Sequence, residues 1–331
     1  MLRLPPFTPH FPLTIEAAVA LKARHGADAA YVAGGTDLYP NMKRRQQTPS
    51  VVIDLRRAGV GGQGGRGAEG QLLLGAGMTL TQLIRDPLVR AEWPALAAAA
   101  ATISTPILQN MGTLGGNLLL DTRCNYYDQG YEWRKAINFC LKKDGDICWV
   151  APSSPRCWAV QSSDLAPVMV ALGASVTLVG PAGTRTIPAS ALYRNDGIEY
   201  LRKHPDELLT AVSVPALAGA RAVYRKVRRR GAFDFPVLGV AAVVRTDPAG
   251  IVTSARVVVG GVGSLPVESD VATAALVGQK LGDEAIEAAA LAAARPSKPL
   301  DNTDFTIGWR KDLVPITVRR ALEDLRPPLR Q

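Results

Sequence analysis

Every cysteine of the 331-residue chain, Cys124, Cys140, Cys148 and Cys157, falls in one short stretch, with gaps of 15, 7 and 8 residues between them. Four thiols gathered in this way point to a soft-metal centre. Zinc knuckles place ligands in close C-x2-4-C pairs, and no such pair exists. A [4Fe-4S] cube needs four thiolates at the corners of a cage, and long loops can deliver them one at a time. Asn125, Asp128, Gly130, Asp144, Gly145, Pro152 and Pro155 are loop formers, and Trp133, Phe139, Trp149 and Trp158 are apolar enough to shield such a centre. Two disulfides or four unpaired thiols are the alternatives, and no secretory signal accompanies them.

Two double glycines stand beside polar residues, Ala33-Gly34-Gly35-Thr36-Asp37-Leu38 and Thr113-Leu114-Gly115-Gly116-Asn117. Without side chains, backbone N–H groups can approach an anion closely. Either motif alone reads equally as an ordinary strand-to-helix turn. A diphosphate has two negative centres, so the pair is more informative than either member. Asp164 precedes an apolar segment and is a helix cap or a ligand. Lys226 sits inside the basic run Arg225 to Arg230.

The elements that would carry these residues follow from pattern. Thr14 caps a helix over 15–24, and strands are expected at 29–33 and 51–55, the latter with Asp54 near its end. The glycine-rich stretch 59–70 reads as a flexible linker and a candidate boundary. A strand at 71–75, a helix capped by Thr79 and an alanine-rich helix at 94–102 come next. Beyond the cysteines, a helix at 168–172 leads to a hairpin at 175–179 and 184–187, with 207–214 returning to the sheet. The run from Ala222 reads as a solvated basic edge strand. Strands at 237–245 and 251–260, then helices at 283–294 and 317–325, make a further α+β unit.

A chain of this length is expected to form two or three domains. Hydrophobic residues are 47% and charged residues 20%, the balance of a soluble globular protein, and no apolar run is long enough to cross a membrane. The N-terminus lacks the apolar core of a signal peptide, so cytoplasm is the expected location. The net charge is +9, but with 6% aromatic residues and no recognisable binding motif it does not indicate nucleic acid.

These motifs together resemble the FAD-binding medium subunit of the xanthine oxidase family of molybdenum hydroxylases. The resemblance also covers Ser163-Asp164, Tyr224-Arg225-Lys226-Val227, Val259-Gly260-Gly261-Val262 with Pro266, and Trp309-Arg310-Lys311. It implies an α+β fold: a two-part FAD-binding domain of the PCMH/vanillyl-alcohol-oxidase type, then a C-terminal α+β domain of the CO dehydrogenase flavoprotein type. The parts would be residues 1–58, residues 59–216 with an insertion at about 121–160, and residues 217–331. Asp121-Thr122-Arg123-Cys124, Phe139-Cys140-Leu141-Lys142, Gly145-Asp146-Ile147-Cys148 and Arg156-Cys157 resemble, more narrowly, the β subunits of the 4-hydroxybenzoyl-CoA reductases, where four cysteines hold an additional [4Fe-4S] cluster.

By resemblance, Ala33, Gly34, Gly35, Thr36, Asp37 and Leu38 would hold the FAD diphosphate through backbone N–H groups, joined by Gly115 and Gly116. Thr113 and Asn117 would add side-chain hydrogen bonds, Asp164 would accept from a sugar or ribityl hydroxyl, and Lys226 would stand near the pyrimidine edge of the flavin. Asn125 would reach FAD. Asn110-Met111 and Trp309 depart from the common pattern. The implied partners are a molybdenum-cofactor large subunit and a [2Fe-2S] small subunit, as a dimer of heterotrimers, with ferredoxin as electron donor. The implied activity is reductive dehydroxylation to benzoyl-CoA, with this chain carrying electrons. An aldehyde-oxidising or other molybdenum hydroxylase is the rival, and a zinc-stabilised nucleotide-binding module is a third reading.

Overall fold

The structure, a computed structural model, describes residues 2–326 as three sheets and the helices between them. Strands Thr8–His10 (β1), Ala29–Val32 (β2) and Val51–Asp54 (β3) form a small parallel sheet in the order β1-β3-β2. All four residues of β3 are buried, as a central parallel strand requires. Helix Ile15–His25 connects β1 to β2, and the Thr14 hydroxyl accepts from the Ala17 N–H at 3.1 Å, the cap expected there.

The second sheet is antiparallel. It is built from Gly64–Arg66 (β4), Leu72–Gly75 (β5), Ser175–Gly180 (β6), Gly183–Pro188 (β7) and Leu208–Val214 (β8), in the order β4-β5-β8-β6-β7. The glycine-rich stretch is therefore not a free linker. Its residues Gly64 to Arg66 pair with Leu72 to Leu74, and Gly61 packs against the backbone of Gly75. Glycines that look flexible in sequence allow two backbones to touch here.

Strands Arg221–Val227 (β9), Leu238–Thr246 (β10), Val252–Gly260 (β11) and Val267–Glu268 (β12) make the third sheet, order β12-β11-β10-β9, all antiparallel. One face of it carries Leu238, Val240, Ala242 and Val244 against Ile286, Val314, Val318 and Leu322 of the C-terminal helices. The other face places Tyr224, Ala241 and Val258 in the larger core shared with the first two sheets. This two-sided burial locks the C-terminal unit onto the rest. The last helix begins at Ile307 rather than 317 and holds Pro315 in its interior. Proline removes only one N–H donor, and the buried Val314, Thr317 and Val318 on either side keep the helix packed.

As an edge strand, β9 matches expectation, and most charges of the run that begins in it are exposed while also paired within the protein. Alternate residues point opposite ways, so Tyr224 and Lys226 face inward while Arg225 meets Asp324 at 2.6 Å. Arg228 donates to Thr102 O at 2.7 Å, Arg229 approaches Asp304 at 3.9 Å, and Arg230 pairs with Asp234. Each cation of the run is engaged within the protein. Among the described residues no helix is long and apolar enough to cross a membrane.

Candidate cofactor cleft and thiol centre

Between the first two sheets lies a cleft of about 940 Å³. All six residues from Ala33 to Leu38 line it, as do Thr113, Gly115, Gly116, Asn117 and Asp164. The turn from β2 into helix Leu38–Lys43 forms one wall. Among the described residues, no intramolecular acceptor is present for the backbone N–H groups of Gly34, Gly35, Thr36 and Asp37. Four consecutive free donors facing a cleft form an anion-binding concavity. A Cβ on Gly34 would overlap the Met111 carbonyl oxygen, so that glycine also lets the first loop press against residues 111–112.

The second loop is organised differently from expectation. It is the helix Leu114–Leu118, and its donors are already engaged. Gly115 N–H donates to Ala76 O at 2.8 Å, and Gly116 N–H donates to the Thr113 hydroxyl at 3.1 Å. The diphosphate contacts expected of these two N–H groups are thus replaced by internal bonds, while the Thr113 hydroxyl, an acceptor here, keeps its own O–H to donate. A Cβ on Gly115 would stand 2.9 Å from the Ala76 methyl, so its glycine serves packing. Asn117 Oδ1 accepts from Ser163 Oγ at 2.7 Å and from Leu165 N–H at 3.2 Å, holding the next functional segment in place.

That segment presents Asp164. The helix Leu165–Ala171 is capped by Ser163, whose hydroxyl accepts from Ala166 N–H at 2.9 Å. Asp164 holds the N-cap position, but its side chain makes no cap bond. Its carboxylate accepts from Tyr224 OH at 2.7 Å and from Lys226 Nζ at 2.9 Å. Lys226 also donates to Thr102 O at 3.1 Å. Burial pushes Asp164 above the ordinary carboxylate range and pushes Lys226 below the ordinary lysine value, each against the pull of the other. Lys226 reaches the cleft only through Asp164. Asn125 does not reach it: the residue is exposed, and its N–H donates to Asn302 O at 3.0 Å.

One cleft residue, part of the Asp121-Thr122-Arg123-Cys124 motif, was given no role from the sequence. Arg123 is buried and lines the wall next to Asp37, with which it pairs; it also donates to Asn41 Oδ1 at 3.4 Å and to Asp128 Oδ1 at 3.2 Å. Its guanidinium lies 4.8 Å from the Phe235 ring centroid. Phe233, Asp234 and Phe235, from the loop after β9, complete that end of the cleft.

All four cysteines are free and buried, which removes the disulfide alternative. Cys124, Cys140 and Cys157 share a small core with Tyr127 and Ala159, flanked by Tyr126, Leu141, Trp149 and Val150. Trp133, expected to shield the thiols, is 42% exposed instead. Helix Tyr131–Ala136 turns its neighbour Arg134 inward, so Trp133 faces out. The Ala159 N–H points at the Cys157 sulfur at 3.4 Å, whereas the Ala151 N–H donates to the Cys148 carbonyl oxygen at 2.9 Å. The interaction of Cys148 with Cys157 lowers the first and raises the second, while burial pushes Cys124 up to about 12. Among the described residues no three His, Cys, Asp or Glu side chains lie close enough for a single metal ion.

Comparison with known proteins fits this geometry. Residues 5–217 match the family described as the FAD binding domain in molybdopterin dehydrogenase, and residues 222–325 match the CO dehydrogenase flavoprotein C-terminal domain. The chain belongs to the FAD-binding subunits of the xanthine oxidase family of molybdenum hydroxylases. One relative is the aldehyde oxidoreductase FAD-binding subunit PaoB of Escherichia coli (strain K12), 33% identical over 85% of this chain and 88% of that one. Another is the carbon monoxide dehydrogenase medium chain of Afipia carboxidovorans, 30% identical over 96% of both. The solved carbon monoxide dehydrogenase from Hydrogenophaga pseudoflava superposes with a TM-score of 0.80 at 27% identity, covering 98% of each chain.

The two-domain fold expected from the sequence is that of this family. FAD is its cofactor, and the free N–H groups of residues 34–37 at the cleft fit a dinucleotide's diphosphate. The [4Fe-4S] expectation rests on this chain's own thiols. A single tetrahedral zinc would bring sulfurs within about 3.8 Å of one another, given Zn–S bonds of about 2.3 Å. A cube gives each thiolate its own iron, so four separately delivered sulfurs suit it better.

Proposed function

We propose that this chain is the flavin- and [4Fe-4S]-carrying electron-transfer subunit of a molybdenum enzyme of the 4-hydroxybenzoyl-CoA reductase type. The observation that carries the reading is the set of four buried free thiols, three of them in one small core, with the Ala159 N–H donating to Cys157 Sγ at 3.4 Å. Such donors stabilise thiolate and lower its basicity, which is what an iron ligand needs. Bound to this chain, FAD would exchange electrons singly or in pairs and the cube would exchange them one at a time. The residues 34–37 would bind the diphosphate, Asp164 and Lys226 would fix the cleft wall, and Trp149 would keep water from the sulfurs. Substrate chemistry would belong to a molybdenum subunit, reached through a [2Fe-2S] subunit, with ferredoxin as donor and two heterotrimers in the assembly.

A second reading has its own support. The 33% identity to an aldehyde oxidoreductase subunit favours an aldehyde-oxidising complex in which electrons leave through this chain. Turnover of the purified complex separates the two, using 4-hydroxybenzoyl-CoA with a low-potential donor against benzaldehydes with an acceptor. Anaerobic iron and sulfide analysis tests the centre itself. About four iron per chain are expected, lost in Cys140→Ala while FAD is retained. A parent chain that holds FAD and no iron ends the cluster assignment.

A further inference from the structure

Asp37 poses an electrostatic problem. Its carboxylate closes the row of free N–H groups, so a diphosphate bound there would meet a negative side chain at the end of its own cradle. Like charges set together cost several kcal/mol unless a cation intervenes. The intervening cation is Arg123. Its guanidinium pairs with Asp37 Oδ1, while Asn41 Nδ2 donates to Oδ2 at 3.0 Å. Arg123 is itself held by Asp128 at 3.2 Å and by the face of Phe235. The Asp37 carboxylate is thus clamped from both sides and its charge is answered before any ligand arrives.

We propose that Arg123 is a positioning residue for FAD, acting through Asp37 by neutralising and fixing the one carboxylate in the diphosphate cradle. The inference rests on the reading that residues 34–37 hold the diphosphate. Arg123 adjoins Cys124, and Asp128 Oδ2 accepts the Cys124 N–H at 3.3 Å. The same guanidinium therefore anchors the start of the cysteine insertion to the flavin loop.

The test uses the full chain with its co-purifying subunits, stripped of flavin and titrated with FAD by fluorescence. Thermal unfolding of the flavin-free protein serves as the fold control. Arg123→Gln is expected to weaken FAD binding by about tenfold or more, because Asp37 then faces the phosphates uncompensated. The Arg123→Gln/Asp37→Asn pair should recover most of the affinity lost in Arg123→Gln, since no carboxylate is left to compensate. A folded Arg123→Gln chain with parental affinity overturns the proposal, and so does a double variant as weak as Arg123→Gln.

Should Arg123→Gln fail to fold, Arg123→Lys decides. With charge kept and the fork lost it should stay within about threefold of the parent, and a tenfold loss overturns the charge argument. Thr36→Asp separates this from failure of the cradle reading. If it leaves FAD affinity unchanged, residues 34–37 do not hold phosphate. If it abolishes binding while Arg123→Gln does not, the cradle stands and Arg123 has no part in it.

Discussion

The Asp164 carboxylate and the Lys226 ammonium meet at 2.9 Å with side chains only 3% and 2% exposed. Neither residue has water to fall back on. Removing one partner leaves the other buried and uncompensated, so Lys226→Met is expected to destabilise by about 3–5 kcal/mol in urea unfolding, and Asp164→Asn/Lys226→Met by much less. In Lys226→Met the carboxyl would sit still further above its ordinary value. A group with a raised folded pKa stabilises most below its unfolded value and loses that contribution as pH rises through the folded one. The variant should therefore lose stability relative to the parent as pH rises above about 4. A parallel pair of pH profiles would contradict this account.

Gly34 and Gly116 look alike in sequence and should respond differently. A Cβ on Gly34 collides with a backbone carbonyl, that of Met111, which has no side chain to move aside. Gly116 would meet only the Thr113 hydroxyl, at 3.0 Å. Gly34→Ala is expected to lower the unfolding midpoint and to lose FAD on gel filtration. Gly116→Ala is expected to keep its stability within about 0.5 kcal/mol of the parent.

The contrast marks what could be read in advance. Free donors after β2 were legible because a strand followed by two glycines leaves N–H groups with no local acceptor. The engagement of Gly115 N–H was not, since its acceptor, Ala76 O, comes from the distant end of β5. Asp164 stayed ambiguous for the same reason: Tyr224 and Lys226 reach it only once the third sheet packs on the first core. The burial of Arg123 depends on Asp37, Asn41 and Asp128 together, a meeting that no spacing rule describes. Trp133 was misjudged because hydrophobicity alone does not say which face of a short helix turns inward.

Lys203 offers a pH signature on the alkaline side. It lines the cleft and donates to His204 O at 2.9 Å and Glu207 O at 3.0 Å, and burial lowers it from the usual 10.5 to about 8. Between those values the unfolded chain binds the proton that the folded chain has released. Stability linked to Lys203 is therefore complete above 10.5, declines as pH falls through that window, and is gone below about 8. Relative to Lys203→Met, the parent should gain about 1.4 kcal/mol per pH unit across the window. Urea midpoints of both proteins at pH 7.5 to 10.5 would check the slope, and a constant difference would refute it.

The two tryptophans of the cysteine insertion allow a last comparison. Trp149 packs on the thiol core and its indole N–H donates to Phe139 O at 2.5 Å, the residue just before Cys140. Trp149→Ala removes both the apolar cover and the bond that fixes this loop, so a loss of about 2 kcal/mol is expected. The thiols of the metal-free chain should then react faster with a water-soluble disulfide reagent. Trp133→Ala touches neither the core nor a ligand loop, and should leave stability within about 0.5 kcal/mol and thiol reactivity unchanged. If Trp133→Ala opened the thiols as far as Trp149→Ala, the exposed helix would be the true cover of the centre, and the assignment of Trp149 would be wrong.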